Sequence, residues 1–354
     1  MPQQSEFDTL IIGAGLAGAS AAWHLRQAGQ RVLVLDAGLG GSASGVGGGL
    51  ANPMMALRGR PPWRVRQALD VLDGMPQAGR LDVQDGLLRP AADPTQADHF
   101  REAARRHPDL GAWVEAGEAA GRLPYVSAPH GVLEVRRGSA WDLEATAQAW
   151  LSDTERRSCS SDWTLEESGE HVILHDGDTS PVRARHAVLA MGAGLLTHPL
   201  TRTLNLHAIK GQIIRVSRPA PLPADFPPLS GAAYLIRADE DSLWIGSTFE
   251  HTWREAGPTE DARIELLERA ATVVSDLRAA AVLEQRVGFR VTVPGTRIPM
   301  IGPLQKGSRI WVFGGFGAKG LIYSALLGSG IPRFFNEPEA IPAECRVVHR
   351  SPES

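Results

Sequence analysis

The chain has 354 residues, 43% of them hydrophobic and 21% charged, with a formal net charge of −4. That length is too great for one ordinary domain and suits two, or one large α/β body. The composition excludes wholesale disorder. The acidic balance, without any long block of Lys or Arg, makes nucleic acid an unlikely main partner.

Two cysteines, Cys159 and Cys345, support neither a disulfide framework nor a four-cysteine metal site. Met1–Glu6 lacks the basic end and apolar core of a signal peptide, and no apolar run reaches about 18 residues. A reducing cytoplasm is therefore expected, with no membrane partner.

Asp8–Ile12 is an apolar run ending in Gly13, and it reads as a buried parallel strand. From Ala14 to Ala28, small or apolar residues recur at helical spacing, and Gly29 follows as a stop. Arg31–Leu35 is a second strand closed by Asp36, so the start of the chain is a βαβ unit. Gly38–Gly49 follows, with seven glycines in twelve residues. Helices are expected over Pro61–Leu72, Ala97–Arg106 and Leu143–Leu151, and a strand over Val132–Val135. Trp163–Leu165 and His171–Leu174 read as a hairpin, and His186–Ala190 as a buried strand running through Met191 into Gly192. Lys210-Gly211-Gln212 reads as a turn, with His207 beside it in a structural role. Pro219–Pro228 holds five prolines in ten residues and is expected to be a loop. Tyr234–Arg237 and Leu243–Gly246 form a second expected hairpin, and Asp261–Ala281 the longest helix. A strand at Ile310–Phe313, a loop Gly314-Gly315-Phe316-Gly317 and a helix Ala318–Leu327 follow, and the tail is expected to fray after Arg346.

Gly13-x-Gly15-x-x-Gly18 sits between a strand and a helix, with Asp36 at the end of the next strand. Gly13 allows a tight turn, Gly15 lets the backbone approach a pyrophosphate, and Gly18 lets helix and strand pack closely. The open amides at the helix start favour an anion. Asp36 can accept from both ribose hydroxyls, which disfavours a phosphorylated ribose. The glycine run directly after the acid suggests a second close backbone approach to a long, deeply buried ligand. That favours FAD over NAD, which must be able to leave. Metal and nucleophile signatures are missing: the sequence has no HExxH, no CxxC and no complete GxSxG.

These features, together with Ser42-Ala43-Ser44-Gly45, Gly48–Pro53, Leu189–Gly194, Lys210-Gly211-Gln212, Tyr234–Thr248, Gly288-Phe289-Arg290, Ile298–Pro303 and Gly314–Leu321, stand in an order similar to FAD-dependent oxidoreductases of the D-amino-acid oxidase, glycine oxidase and sarcosine oxidase superfamily. The Ser-Ala-Ser-Gly loop and Pro-Met-Ile-Gly run most resemble the flavin half of the bifunctional tRNA wobble-uridine methylaminomethyl enzyme. Met191, Val291 and Gly295-Thr296 depart from the usual residues.

The resemblance implies an α/β fold: a discontinuous Rossmann-like FAD-binding domain (1–84, 138–204 and 285–354) and a sheet-rich α+β substrate domain (85–137 and 205–284). It implies FAD contacts at Gly13, Ala14, Gly15, Leu16, Ala17, Gly18, Asp36 and Ala37. Further contacts fall at Ser42, Ser44, Gly45, Gly49, Leu50, Ala51 and Gly192, then Gly315, Phe316, Gly317, Ala318, Lys319, Gly320 and Leu321. It implies oxidation of the C–N bond of a small amine or amino acid to an imine, the flavin supplying the chemistry. Arg290 then stands as a carboxylate clamp, its planar fork suited to two parallel bonds. Tyr234 carries a similarly placed hydroxyl, and Lys319 lies in the first turn of a helix aimed at the reduced flavin. No general base is identified. The alternatives are oxidation of a carboxymethylaminomethyl group on tRNA, against which the acidic balance and the lack of a methyltransferase half weigh, and a flavin-binding subunit without catalysis of its own.

Overall fold

The computed structural model describes residues 7–38, 40–81 and 86–349. Met1–Glu6, Leu39 and the tail beyond His349 lie outside the described residues. The site is carried by strands β1 (Phe7–Ile12), β2 (Val32–Asp36), β3 (Val182–Leu189), β4 (His207–Ser217), β5 (Ser242–Gly246), β6 (Val282–Thr292) and β7 (Ile310–Gly314). Helices α1 (Leu16–Gln27), α2 (Glu260–Ala271) and α3 (Gly320–Gly328) complete it.

Among the described residues, one eight-stranded sheet runs in the order Met300–Pro303, β7, β3, β1, β2, Glu155–Ser158, with the hairpin Thr164–Ser168 and His171–His175 attached to β3. The strands from β7 to Glu155–Ser158 are parallel. Buried on both faces, such strands must be nearly all apolar, and Leu10, Ile11, Leu33 and Val188 are fully or almost fully buried. Their carboxyl ends align. Ile12 lies opposite both Leu35 and Leu189, and Leu189 opposite Val312. Ligands of open parallel sheets bind outside those ends.

α1 reaches the sheet closely because its facing residues are small. A Cβ on Gly18 would stand 1.8 Å from the Gly13 carbonyl oxygen. α3 crosses α1 at Ser20, whose Oγ donates to the Ser324 carbonyl at 2.7 Å.

The second eight-stranded sheet is ordered β6, β4, β5, Tyr234–Arg237, Leu229–Ser230, Leu87–Pro90, Val132–Val135, Gly111–Val114. Side chains alternate across it. Ile214, Val216, Leu243 and Ile245 form a core with Leu266 and Ala270 of α2. Ile213, Ile236 and Trp244 form a separate cluster on the opposite face. β6 runs across residues 284 and 285, where the sequence reading drew a domain boundary, and pairs along its length with β4.

Three sequence expectations are corrected. Lys210-Gly211-Gln212 is not a turn; it lies inside the eleven-residue strand β4. Gly211 is small because the Arg290 guanidinium rests on it: a Cβ there would stand 1.8 Å from Nη2. The helix expected to reach Ala281 stops at Ala271, and a short 3-10 turn, Ser275–Ala279, follows. Thr272, Val273 and Val274 are β-branched and disfavour helix. The two valines are buried in the α2 core, and Thr272 Oγ1 donates to the Arg269 carbonyl at 2.7 Å. The tail is pinned as far as His349. Asn205 N donates to the Val348 carbonyl at 2.9 Å, and Cys345 is fully buried.

Burial pushes the Cys345 thiol up to about 12, with Glu344 adding to the shift. Burial, with Asp176 and Asp36, pushes Cys159 up to about 11. Thiolate is the reactive form. A disulfide reagent at pH 8 is therefore expected to label neither cysteine of the folded protein quickly and both in denaturant; rapid native labelling would contradict the packing.

Candidate active site

Where the parallel strands end, the chain turns and leaves a cavity of about 1040 Å³. Gly13 makes the first turn at φ +110°, and a Cβ there would meet the Ala190 carbonyl oxygen at 2.5 Å. No other residue satisfies both demands. α1 begins at once, and its N-cap, Gly15, has no side chain to cap the first turn. Ser44 Oγ accepts from the Leu16 amide at 3.1 Å, and Ser42 Oγ accepts from the Ser44 amide at 3.2 Å. The next amides have no intrahelical partner and face an anion's position. A negative group at such an end gains ~0.3–1 kcal/mol when exposed and up to ~2 kcal/mol when partly buried.

Asp36 closes this end. Its Oδ2 accepts from the Ala14 amide at 2.5 Å and its Oδ1 from the Gly38 amide at 2.7 Å. Each oxygen keeps a second lone pair for a ligand hydroxyl. Trp163 and His198 stack at 4.2 Å along the same cavity wall. Burial holds His198 below its ordinary value, despite a backbone hydrogen bond at Trp163, which keeps the ring neutral near pH 7.

Gly40, Gly41, Gly48 and Gly49 of the glycine run line the cavity, and the run also packs against other parts of the chain. A Cβ on Gly48 would stand 2.0 Å from Ile236 Cδ1, and one on Gly49 2.9 Å from Leu143 Cδ2. Gly41 and Gly47 meet Phe289 and Trp244 in the same way. Gly41, Gly47 and Gly48 let the loop press against the second sheet, and Gly49 lets it press against Leu143 at the start of the helix Leu143–Trp150.

The far end of the cavity is cationic. Arg290 Nη2 donates to Ser247 Oγ at 3.0 Å and to the Thr248 carbonyl at 2.8 Å. Phe249 covers one face of its guanidinium at 4.2 Å. Among the described residues no carboxylate pairs with Arg290, so a half-buried charge faces the cavity without a counter-ion. Burial lowers its pKa from the ordinary arginine value, offset in part by Tyr234, and arginine stays protonated regardless. Tyr234 donates its hydroxyl proton to the Gly48 carbonyl at 3.0 Å, and burial pushes the phenol above its ordinary value.

Most of the expected contact residues line this one cavity: Gly13, Gly15, Leu16, Ala17, Asp36, Ala37, Ser42, Ser44, Gly49, Leu50, Gly192, Gly315, Phe316, Gly317, Ala318, Gly320 and Leu321, with Tyr234 and Arg290. Ala14, Gly18, Gly45, Ala51 and Lys319 stand behind the lining. Lys319 Nζ donates to the Arg297 carbonyl at 2.8 Å, and burial lowers its pKa. Trp163, His198, Ser247 and Phe249 were not singled out by sequence. Ser247 falls inside the Tyr234–Thr248 motif without being marked there, Trp163 starts an expected hairpin strand, and only folding brings all four to the wall.

A family model described as FAD dependent oxidoreductase matches residues 8–331. The chain belongs to that family. It is 28% identical to a glycine oxidase of Pseudomonas aeruginosa, covering 96% of this chain and 93% of that protein. It is 30% identical to the tRNA 5-methylaminomethyl-2-thiouridine biosynthesis bifunctional protein of Aromatoleum aromaticum, over 90% of this chain and 55% of that protein. Its fold is similar to a crystal structure of iminodiacetate oxidase from Chelativorans, with a TM-score of 0.80, 23% identity, and coverage of 96% and 98%. The chain is thus an FAD-dependent oxidoreductase.

The residues present fit FAD. The open amides of α1 suit its pyrophosphate and Asp36 its ribose. The uncapped start of α3, with Gly317, Ala318 and Gly320 on the wall, offers a second positive helix end. Among the described residues no group of His, Cys, Asp and Glu could hold a metal ion, and no helix is long and apolar enough to cross a membrane. Gly15→Val should leave the circular dichroism of the protein unchanged while flavin absorbance of the purified protein falls well below wild type. Full flavin content in that variant would remove the α1 amides from the site.

Proposed function

We propose that this oxidoreductase oxidises the C–N bond of a small carboxylate-bearing amine, such as glycine or an N-substituted glycine, to an imine that water hydrolyses. The observation that carries the reading is Arg290: a half-buried guanidinium on the wall of the FAD cavity, held by Ser247 and Thr248, with no carboxylate partner among the described residues. A substrate carboxylate supplies the missing charge, and two parallel hydrogen bonds orient it. Bound FAD would supply the two-electron oxidation of the C–N bond, with oxygen or another acceptor taking up the electrons. Phe249 covers one face of the guanidinium, and Tyr234 lines the same cavity beside it. The names of two similar proteins, glycine oxidase and iminodiacetate oxidase, support the substrate class. The first sheet would be the FAD-binding unit and the second the substrate-covering unit of a cytoplasmic enzyme.

Asp36 is the only carboxylate and His198 the only histidine among the described lining residues. Neither belongs to the Arg290–Tyr234 group, and the Tyr234 proton is engaged with the Gly48 carbonyl. Among the described residues none stands there as a general base, and the amine reacts in its neutral form.

A second reading, oxidation of a carboxymethylaminomethyl group on tRNA, is favoured by the 30% identity to the bifunctional tRNA enzyme. Arg58, Arg60 and Arg64 are exposed in the segment that follows Met55, which lines the cavity, and no carboxylate among the described residues pairs with them. Salt-sensitive tRNA binding measured by filter retention would support it.

Anaerobic glycine, sarcosine or iminodiacetate should bleach the flavin absorbance, and a panel of such amines without effect would sink the proposed substrate class. Arg290→Ala should keep the flavin and weaken carboxylate substrates by ~1.5–3 kcal/mol, roughly 10- to 150-fold in KM; an unchanged KM would remove Arg290 from substrate binding. With a neutral amine as the reacting form, the rising limb of kcat/KM against pH should shift with the amine pKa of each substrate. Tyr234→Phe should not move it, because burial keeps the phenol protonated throughout that range. A limb fixed at one pH for all substrates would reveal an enzyme base.

A further inference from the structure

Behind the two acceptors of Arg290 lies a polar cluster that the proposed reaction does not use. Lys210, on β4, is only 1% exposed. Its Nζ lies 3.3 Å from Glu250 Oε2 and donates to the Glu255 carbonyl at 2.9 Å. Glu250 Oε1 accepts from Thr248 Oγ1 at 2.9 Å and from Gln212 Nε2 at 2.8 Å. Thr248 Oγ1 accepts from the Gln212 amide at 2.9 Å, and the Thr248 carbonyl accepts from Arg290. An unbroken polar chain thus runs from Lys210 through Glu250 and Thr248 to the Arg290 guanidinium.

The connection between β5 and α2 has little else to hold it. Residues 251–258 are exposed, as is Phe249. At its ends, Thr248 N donates to the Gln212 carbonyl at 3.1 Å, the Thr259 amide donates to Gln212 Oε1 at 2.9 Å, and the Thr259 carbonyl and Oγ1 accept from Gln285 and Gln212; between them stand the His251–His207 stack and the Trp253–Phe289 contact. The backbone of Glu250 pairs with that of Lys210 in both directions at 2.9 Å. A lysine withdrawn from water this completely is tolerated only while its partner stays in place, so the ion pair fixes the loop in one position. The same loop carries both groups that aim Arg290.

We propose that Lys210 is a positioning residue: by clamping Glu250 it holds Ser247 and Thr248 where they orient Arg290 for a substrate carboxylate. The proposal rests on the reading of Arg290 as the carboxylate clamp. A different task, stabilising the fold alone, would leave carboxylate affinity unchanged in variants that still fold and keep their flavin.

The test uses the FAD-loaded enzyme and acetate as the probe, its binding followed by perturbation of the flavin absorbance. Lys210→Met and, as a milder change, Glu250→Gln should keep the flavin and weaken acetate by about tenfold. In turnover the variants should raise KM for amino-acid substrates more than they lower kcat, and Lys210→Arg should restore both. Trypsin should cut after Arg254 faster in Lys210→Met than in wild type, because the loop opens locally. Wild-type acetate affinity in flavin-loaded Lys210→Met or Glu250→Gln, alongside weakened binding in Arg290→Ala, overturns the positioning role alone. Unchanged affinity in Arg290→Ala overturns the clamp reading and the positioning role together.

Discussion

Backbone amides at the start of a helix have no partner within it, and the architecture of this protein follows from placing such amides at the edge of a parallel sheet. β1, β3 and β7 stop in register, so the turns that follow them share one edge. The turn after β1 must be tight, because α1 packs against that strand with almost no gap. That requirement selects glycine at 13 and 18, and it leaves the first amides of α1 facing space rather than side chains. An anion is the natural complement of that edge.

The second sheet turns the edge into a cavity. Its face bearing Ile213, Ile236 and Trp244 lies against the loop at Gly47–Gly49, so one wall of the cavity is made by two parts of the chain pressed together. The two ends then differ in charge. Asp36 makes the ribose end acidic and hydrogen-bonding, whereas Arg290 makes the opposite end cationic and dry. On the proposed reading, this asymmetry would let one cavity orient a dinucleotide at one end and a small anion at the other.

Legibility in the sequence followed the range of the forces involved. β1, α1 and β2 were readable because apolar spacing and glycine punctuation act within a few residues. The contacts expected from Gly13 to Asp36 fell almost entirely on the wall for the same reason. β4 was misread because Lys210 and Gln212 are polar yet buried, and Gly211 imitates a turn when its neighbour Arg290 is unseen. The end of α2 was missed because Val273 and Val274 look apolar at helical spacing, although their branched side chains and their burial favour leaving the helix. The pinned tail, held by Asn205 and the first-sheet core, had no local signal at all.

By itself, the sequence determined the nucleotide end, since a strand, three spaced glycines, a helix and an acid lie within thirty residues and need only local geometry to assemble. It also singled out Arg290 and Tyr234 one by one. Only the tertiary structure decided that these two share a wall with the α1 amides, that Lys319 turns back to a carbonyl instead, that Phe249 and Ser247 meet the guanidinium, and that a buried lysine on β4 pairs with Glu250 behind them. Those contacts join residues dozens to hundreds of positions apart, and sheet pairing and burial, not spacing along the chain, set where they meet.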